Sequence, residues 1–285
     1  MSKVDLHIHS TASDGRHPPE EVVRRAGEKG LAFMALADHD TVDGIGPALG
    51  AVADFPHLSF IPGVEVSTDV PRGEVHILGY FIDYTSEELA SALLRFRRSR
   101  EWRSRRMVEK LAGLGIHIDW ERVKEIAGDG AIARPHVAQA MLEKGYISSI
   151  KEAFDKYLAR EGPAYVEREK MTPAEAVALI RQNRGLPVMA HPFTVPDPEN
   201  TIIELKEAGL VGIEAYYNGY TREEINHLLR MAARHRLLAT GGSDYHGLDD
   251  RAETPIGGVE VPVTAAEKLI SLAEPDVVKL ASIAY

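Results

Sequence analysis

The sequence predicts an α/β fold built on a mainly parallel sheet, either open or closed into a barrel. Three observations carry this. Short apolar runs rich in β-formers recur along the chain, at Val4–His9, Ala32–Ala37, Ser59–Val66, Glu74–Ile82, Leu186–Ala190, Val211–Tyr216 and Leu237–Gly241. Amphipathic segments such as Pro19–Lys29, Thr172–Gln182 and Thr221–Arg236 lie between several of them, and strands alternating with helices pair in parallel across crossovers. Helix starts are marked as well: Thr172-Pro173-Ala174-Glu175 sets a capping residue before proline, with an acid in the first turn.

One stretch breaks the alternation. Residues 87–165 read as almost wholly helical, and we take them as an insertion between two parts of one barrel, residues 1–86 and 166–285. The insertion opens with a basic run from Leu94 to Arg106. Two readings of that run stand side by side: a solvated helix face, or a cationic lip that guides phosphates.

Composition narrows the function. Hydrophobic residues make up 44% and charged residues 27% of the 285, as in ordinary globular proteins with a sizeable core. A formal net charge of −10 argues against a protein that coats long or duplex nucleic acid through a basic surface. It leaves room for a nucleotide or short oligoribonucleotide at a site where metal ions supply the positive charge. The chain has no cysteine, so a metal must bind through nitrogen and oxygen, which suits Mn, Fe, Zn or Mg better than copper(I). The start of the sequence lacks the apolar run of a signal peptide, and no apolar stretch approaches the ~20 residues that span a bilayer. A cytoplasmic enzyme with no membrane partner is the expectation.

The candidate ligands lie on strands or just beyond them. In Asp5-Leu6-His7-Ile8-His9-Ser10 a strand period of two sets Val4, Leu6 and Ile8 on one face and His7 with His9 on the other. Two imidazoles on one face converge on one metal, although two partly exposed histidines would give the same pattern. Asp14-Gly15 follows in a turn. Ala37-Asp38-His39-Asp40 comes directly after an apolar run, where parallel α/β folds place their sites, although Asp40-Thr41 also suits a simple turn. Glu65 stands between two valines, and His76 between Val75 and Ile77. Ala190-His191-Pro192 and Gly241-Gly242-Ser243-Asp244-Tyr245-His246 complete the series. Of the twelve histidines, the six outside this set are given surface or structural roles, except His136.

This ordered set of motifs, Asp-Leu-His-x-His-Ser, Asp-His-Asp, Gly-Val-Glu, Val-His-Ile-Leu-Gly-Tyr, Ala-His-Pro and Gly-Ser-Asp-x-His, resembles the PHP (polymerase and histidinol phosphatase) family throughout the chain outside the insertion. The resemblance implies a distorted (β/α)7 barrel with a trinuclear metal site at the C-terminal ends of the strands. It assigns His7, His9, Glu65 and Asp244 to one metal. Glu65 would bridge to a second, also held by His76 and His191, while Asp14, His39 and His246 would hold a third. Manganese is the expected metal, with Fe, Zn or Mg as alternatives. Asp38 and Asp40 would orient the histidines.

Around Ala133-Arg134-Pro135-His136-Val137-Ala138 and Tyr157 to Val166, the insertion is similar to that of nucleoside 3′,5′-bisphosphate phosphatases and 5′-to-3′ oligoribonucleases. That subgroup implies an insertion capping the metal site, with Arg134 on phosphate and His136 lining the same pocket. Arg160 would contact substrate too, but Glu161 departs from the small or basic residue usual there. The resemblance makes Asp244, His191 and Arg134 the catalytic residues, with Arg134 neutralising charge on the phosphoryl oxygens. The expected reaction releases the 3′-phosphate of a nucleoside 3′,5′-bisphosphate, with trimming of short RNA from its 5′ end as a related activity. Two rivals are a histidinol-phosphate phosphatase and a non-catalytic PHP binding or scaffold module.

Overall fold

A computed structural model describes residues 2–68, 70, 75–128, 132, 134–167, 171–247 and 253–275. In chain order the elements are β1 (Val4–Ile8), α1 (Pro19–Glu28), β2 (Phe33–Leu36), α2 (Ile45–Val52), β3 (Ser59–Ser67) and β4 (His76–Tyr80). Four helices follow: α3 (Glu87–Gly113), α4 (Trp120–Ala127), α5 (Arg134–Glu143) and α6 (Ile150–Ala153), the last running into a π-helical turn over Phe154–Leu158. Then come α7 (Pro173–Gln182), β5 (Leu186–Met189), a 3-10 turn (Pro192–Thr194), α8 (Pro198–Ala208), β6 (Gly212–Tyr217), α9 (Arg222–His235), β7 (Leu238–Gly242) and α10 (Val263–Leu272). All the expected strands are present. Glu74 and Ala133, two residues of the expected motifs, lie outside the described residues.

The strands form one seven-stranded sheet in the order β1-β2-β3-β4-β5-β6-β7. β7 also meets β1: Asp244 N donates to His7 O at 2.9 Å and His9 N to Tyr245 O at 2.9 Å, so the sheet nearly closes as a barrel. It is less parallel than the alternation predicts, because β4 runs antiparallel to both β3 and β5. The cause is the short link from β3 to β4: eight residues, 68 to 75, are too few for the crossover that parallel neighbours need. That hairpin matters for the site. Directly opposed residues of an antiparallel pair share a face, and the register sets Glu65 opposite Leu78 and Ser67 opposite His76. Glu65 and His76 therefore project to the same side, one pleat apart.

Sequence explains the helix starts. Thr172 and Thr221 each form a full capping box, with Glu175 and Glu224 accepting from the cap residue's backbone N–H; such caps contribute about 0.5–2 kcal/mol each. The barrel closure depends on Gly242. A Cβ there would lie 2.4 Å from His7 N and 2.5 Å from His7 Cβ, which is backbone crowding that no rotamer change relieves. Gly242→Ala is expected to cost about 1–3 kcal/mol of stability, read as a lower urea midpoint at unchanged m-value, and to weaken metal binding through the displaced His7.

The described chain divides into two compact units: residues 1–91 with 171–285, and residues 92–170. The second unit has its own core, in which Met107, Leu111, Val123, Val137, Met141 and Leu158 pack together. Within the basic run, Arg95, Arg98, Arg105 and Arg106 are exposed, as a solvated face requires, but Arg103 and Ser104 are buried. No helix among the described residues is long and apolar enough to cross a membrane.

Candidate metal centre

Strict alternation does not hold along β1. Its ladder with β2 shifts between Asp5 and Ile8. Leu6 joins Val4, Ala35, Ile61, Leu78 and Tyr80 in one core group that Ile8 does not enter, and Tyr80 Oη donates to Leu6 O at 3.0 Å. His7 and His9 nevertheless converge above that layer, fully buried, with ring centroids 5.1 Å apart.

Glu65 is the hub. Its Oε2 lies 3.0 Å from His7 Nε2, 3.2 Å from His9 Nε2 and 3.2 Å from His39 Nδ1. Its Oε1 lies 2.8 Å from His76 Nδ1 and 3.1 Å from His191 Nε2. Asp244 Oδ1 is 3.0 Å from His9 Nε2 and 3.3 Å from His7 Nε2. Asp14 approaches from the β1 loop, 3.3 Å from His246 Nε2, 3.7 Å from His39 Nε2 and 3.8 Å from His9 Nδ1. Among the described residues three overlapping groups bring their donor atoms within 4.8 Å of one another: His7, His9, Glu65 and Asp244; His9, Asp14, His39 and His246; and His39, Glu65 and His76. The first is the set expected for one metal. In the second His9 joins the expected trio, and in the third His39 stands beside Glu65 and His76, with His191 reaching the same Glu65 oxygen.

The electrostatics of this cluster invite cations. Burial alone would push His7 down, but Glu214, Asp244 and Glu65 hold its imidazole well above the ordinary range. Burial also opposes charge on His9, yet hydrogen bonds to Asp244 and Glu65 lift it to about 10. His39 goes the other way: burial and the neighbouring His9 and His76 depress it to about 4, against the pull of Glu65 and Asp14. Glu65, Asp14 and Asp244 overcome their own burial, because the histidines around them hold all three well below the carboxylate range. Among the described residues, buried His9 Nδ1 and His191 Nδ1 find no hydrogen-bond partner. Unpartnered imidazole nitrogens beside ionised carboxylates fit divalent metal ions, and a set without sulfur suits hard or borderline ones.

The backbone is strained where the ligands turn. Asp40, His191 and Asp244 have φ of 52°, 27° and 53° without being glycine, conformations held only where surroundings impose them. Asp38 brackets the β1 loop: Oδ1 accepts from Ser10 N at 2.7 Å and Ser13 Oγ at 2.6 Å, and Oδ2 from Ser10 Oγ at 2.7 Å. It fixes the loop rather than an imidazole, a correction to the role expected for it. Asp40 Oδ1 accepts from Ser67 N at 2.9 Å, tying the β2 and β3 ends together.

Two residues of the site were not singled out in the sequence. Glu214 Oε1 lies 3.0 Å from His7 Nδ1, and its Oε2 accepts from His191 N at 2.9 Å. Tyr217 Oη donates to Asp244 Oδ2 at 2.7 Å. Residues three apart on a strand should face opposite ways, but the ladder to β7 slips by one residue between Glu214 and Tyr216. This bulge turns Tyr217 inward with Glu214. The one legible signal was an acid inside the apolar run Gly212-Ile213-Glu214-Ala215.

The PHP domain family profile matches residues 5–246. The chain belongs to the PHP family. Among PHP-like relatives, the 3′,5′-nucleoside bisphosphate phosphatase of Chromobacterium violaceum is 34% identical over 251 residues, 86% of this chain and 88% of that protein. The 5′-3′ exoribonuclease of Haemophilus influenzae is 34% identical over 248 residues, 86% of this chain and 90% of that one. A solved structure from Bifidobacterium adolescentis, assigned as a metal-dependent phosphoesterase, superposes with a TM-score of 0.81 at 28% identity, covering 95% of this chain and 96% of that one. These likenesses bear out the PHP barrel and the hydrolase reading.

Arg134, His136 and Arg160 belong to the second unit. Arg134 opens α5, half-buried, with its guanidinium carbon 5.5 Å from the centre of the Phe154 ring. His136 lies two residues on, in the same first turn. Arg160 is half-exposed, and its Nη2 lies 3.9 Å from Glu167 Oε1.

Proposed function

We propose that this PHP protein hydrolyses nucleotide phosphate esters, releasing the 3′-phosphate of nucleoside 3′,5′-bisphosphates and trimming short RNA from its 5′ end. The gathering of five histidines on Glu65, with His246, Asp14 and Asp244 in the same cluster, carries the reading. Relatives of nearly the same length that act on such substrates support it. In this reading three divalent ions, manganese first among them, are held by His7, His9, Glu65 and Asp244, by Glu65, His76 and His191, and by Asp14, His39 and His246. When bound, the ions supply Lewis acidity and a nucleophile at neutral pH. The protein's own part is to hold them in register, to exclude water behind the fully buried His7 and Glu65, and to place cationic groups on the phosphoryl oxygens.

Arg134 takes that last role, with His136 and Arg160 as further substrate contacts from residues 87–165. Arginine fits because its guanidinium stays charged and binds phosphate through two parallel hydrogen bonds. Asp244 and His191 act with Arg134 as the catalytic groups. The same reading sets the protein in the cytoplasm.

The deciding assay compares adenosine 3′,5′-bisphosphate with histidinol phosphate in added Mn²⁺. Turnover of the bisphosphate supports the proposal; turnover of histidinol phosphate alone overturns the substrate assignment. Arg134→Ala is expected to lower kcat/KM for the bisphosphate by roughly 10²-fold or more. Unchanged kinetics would remove Arg134 from the site.

A further inference from the structure

Glu214 is fully buried in the middle of β6, and its carboxylate spans two other strands. One oxygen faces His7 Nδ1 on β1 at 3.0 Å, and the other takes the backbone N–H of His191, just past β5, at 2.9 Å. Neither contact involves the face of His7 that carries the cluster, because His7 Nε2 points the opposite way, to Glu65 Oε2 at 3.0 Å and Asp244 Oδ1 at 3.3 Å. Once Nε2 is given to a metal, the one remaining ring proton sits on Nδ1, where the Glu214 carboxylate accepts it. The second contact acts on the backbone. His191 sits at φ 27°, a conformation side-chain-bearing residues avoid, and a buried N–H left without an acceptor there would destabilise the turn.

From these two bonds we infer that Glu214 is a positioning residue for the metal centre: it fixes His7 as an Nε2 ligand and pins the turn that aims His191. The inference rests on the metal-centre reading above and deepens it. It accounts for a buried acid that stands outside the three ligand groups. It also accounts for two ligands from strands four apart in the sheet answering to one carboxylate. A glutamine at this position keeps the size but has one acceptor where two donors now converge. Its amide N–H₂ would face either Nδ1 or the His191 N–H. In the first case the proton moves to Nε2 and closes the metal-facing lone pair; in the second the turn loses its anchor.

The test uses selectively ¹⁵N-histidine-labelled protein loaded with Zn²⁺ as a diamagnetic probe, together with calorimetric Mn²⁺ titrations. In the wild type the His7 ring is expected to show a protonated Nδ1 and a metal-bound Nε2. Glu214→Gln is expected to weaken Mn²⁺ binding roughly 10–100-fold and to change the nitrogen pattern of His7 or of His191, according to which way the amide turns. A wild type whose His7 binds Zn²⁺ through Nδ1 overturns the inference without any variant, so a misfolded Glu214→Gln does not shelter it. Unchanged binding, or weakened binding with both the His7 and the His191 nitrogen patterns unchanged, also overturns it. A wild type that takes up neither ion overturns the metal-centre reading instead.

Discussion

Glu65→Gln is expected to strip divalent metal from the protein and to cut turnover of the bisphosphate by roughly 10³-fold or more. The reason lies in how many contacts share one carboxylate. Five histidines address its two oxygens, three at Oε2 and two at Oε1, at distances from 2.8 to 3.2 Å. An amide offers one acceptor oxygen and turns two N–H donors toward the other imidazoles. It also removes the negative charge that would bridge neighbouring cations. Glutamine has nearly the same volume, so packing against the core below is kept, and the change isolates the charge. Metal content by mass spectrometry and turnover in Mn²⁺ measure the two halves of the expectation. A variant with wild-type metal content and wild-type turnover would remove Glu65 from the centre.

That prediction starts from a residue the sequence already exposed, and the way it was exposed shows where legibility ends. Glu65 and His76 could be picked out because each interrupts an apolar strand, and the hairpin register then sets them on one side. His7 and His9, His39, His191, and Asp244 with His246 could be picked out because each follows or ends an apolar run. Ligand positions in a barrel are local facts of this kind. What could not be read was any departure from the strand period. The shift in β1 moves Leu6 away from Ile8, and the bulge in β6 brings Glu214 and Tyr217 to the same cavity. Both are made by partner strands far away in sequence. The antiparallel β4 was missed for a related reason: a run of apolar residues carries no direction, and only the length of its connections does. The family resemblance gives Asp38, which adjoins His39, to the histidines, whereas its oxygens meet serines of the β1 loop. Adjacency in sequence says little about which way a side chain turns after a strand ends.

The charge balance of the cluster gives the second large effect, a pH dependence that is steep without metal and nearly flat with it. His7 and His9 are held above their ordinary range in the metal-free fold, His9 to about 10. Stability from a raised pKa is complete below the unfolded value of about 6.5 and is lost as pH climbs through the folded value. The depressed carboxylates Asp14, Glu65 and Asp244 contribute stability above their unfolded values, near pH 4, and lose it in acid. His39, depressed to about 4, also loses its share as pH falls below about 6.5. Above about pH 6.5, therefore, His7 and His9 set the slope, and the chelated protein is expected to weaken by up to ~1.4 kcal/mol per pH unit for each proton involved. A bound divalent ion replaces those protons, so its affinity should rise about tenfold per pH unit for each proton displaced. The melting temperature in saturating Mn²⁺ should then pull steadily away from that in EDTA between about pH 6 and pH 8.5. A constant gap over that range would mean that metal and protons do not compete for His7 and His9. The close carboxylates would then have to be neutralised by some group other than these imidazoles.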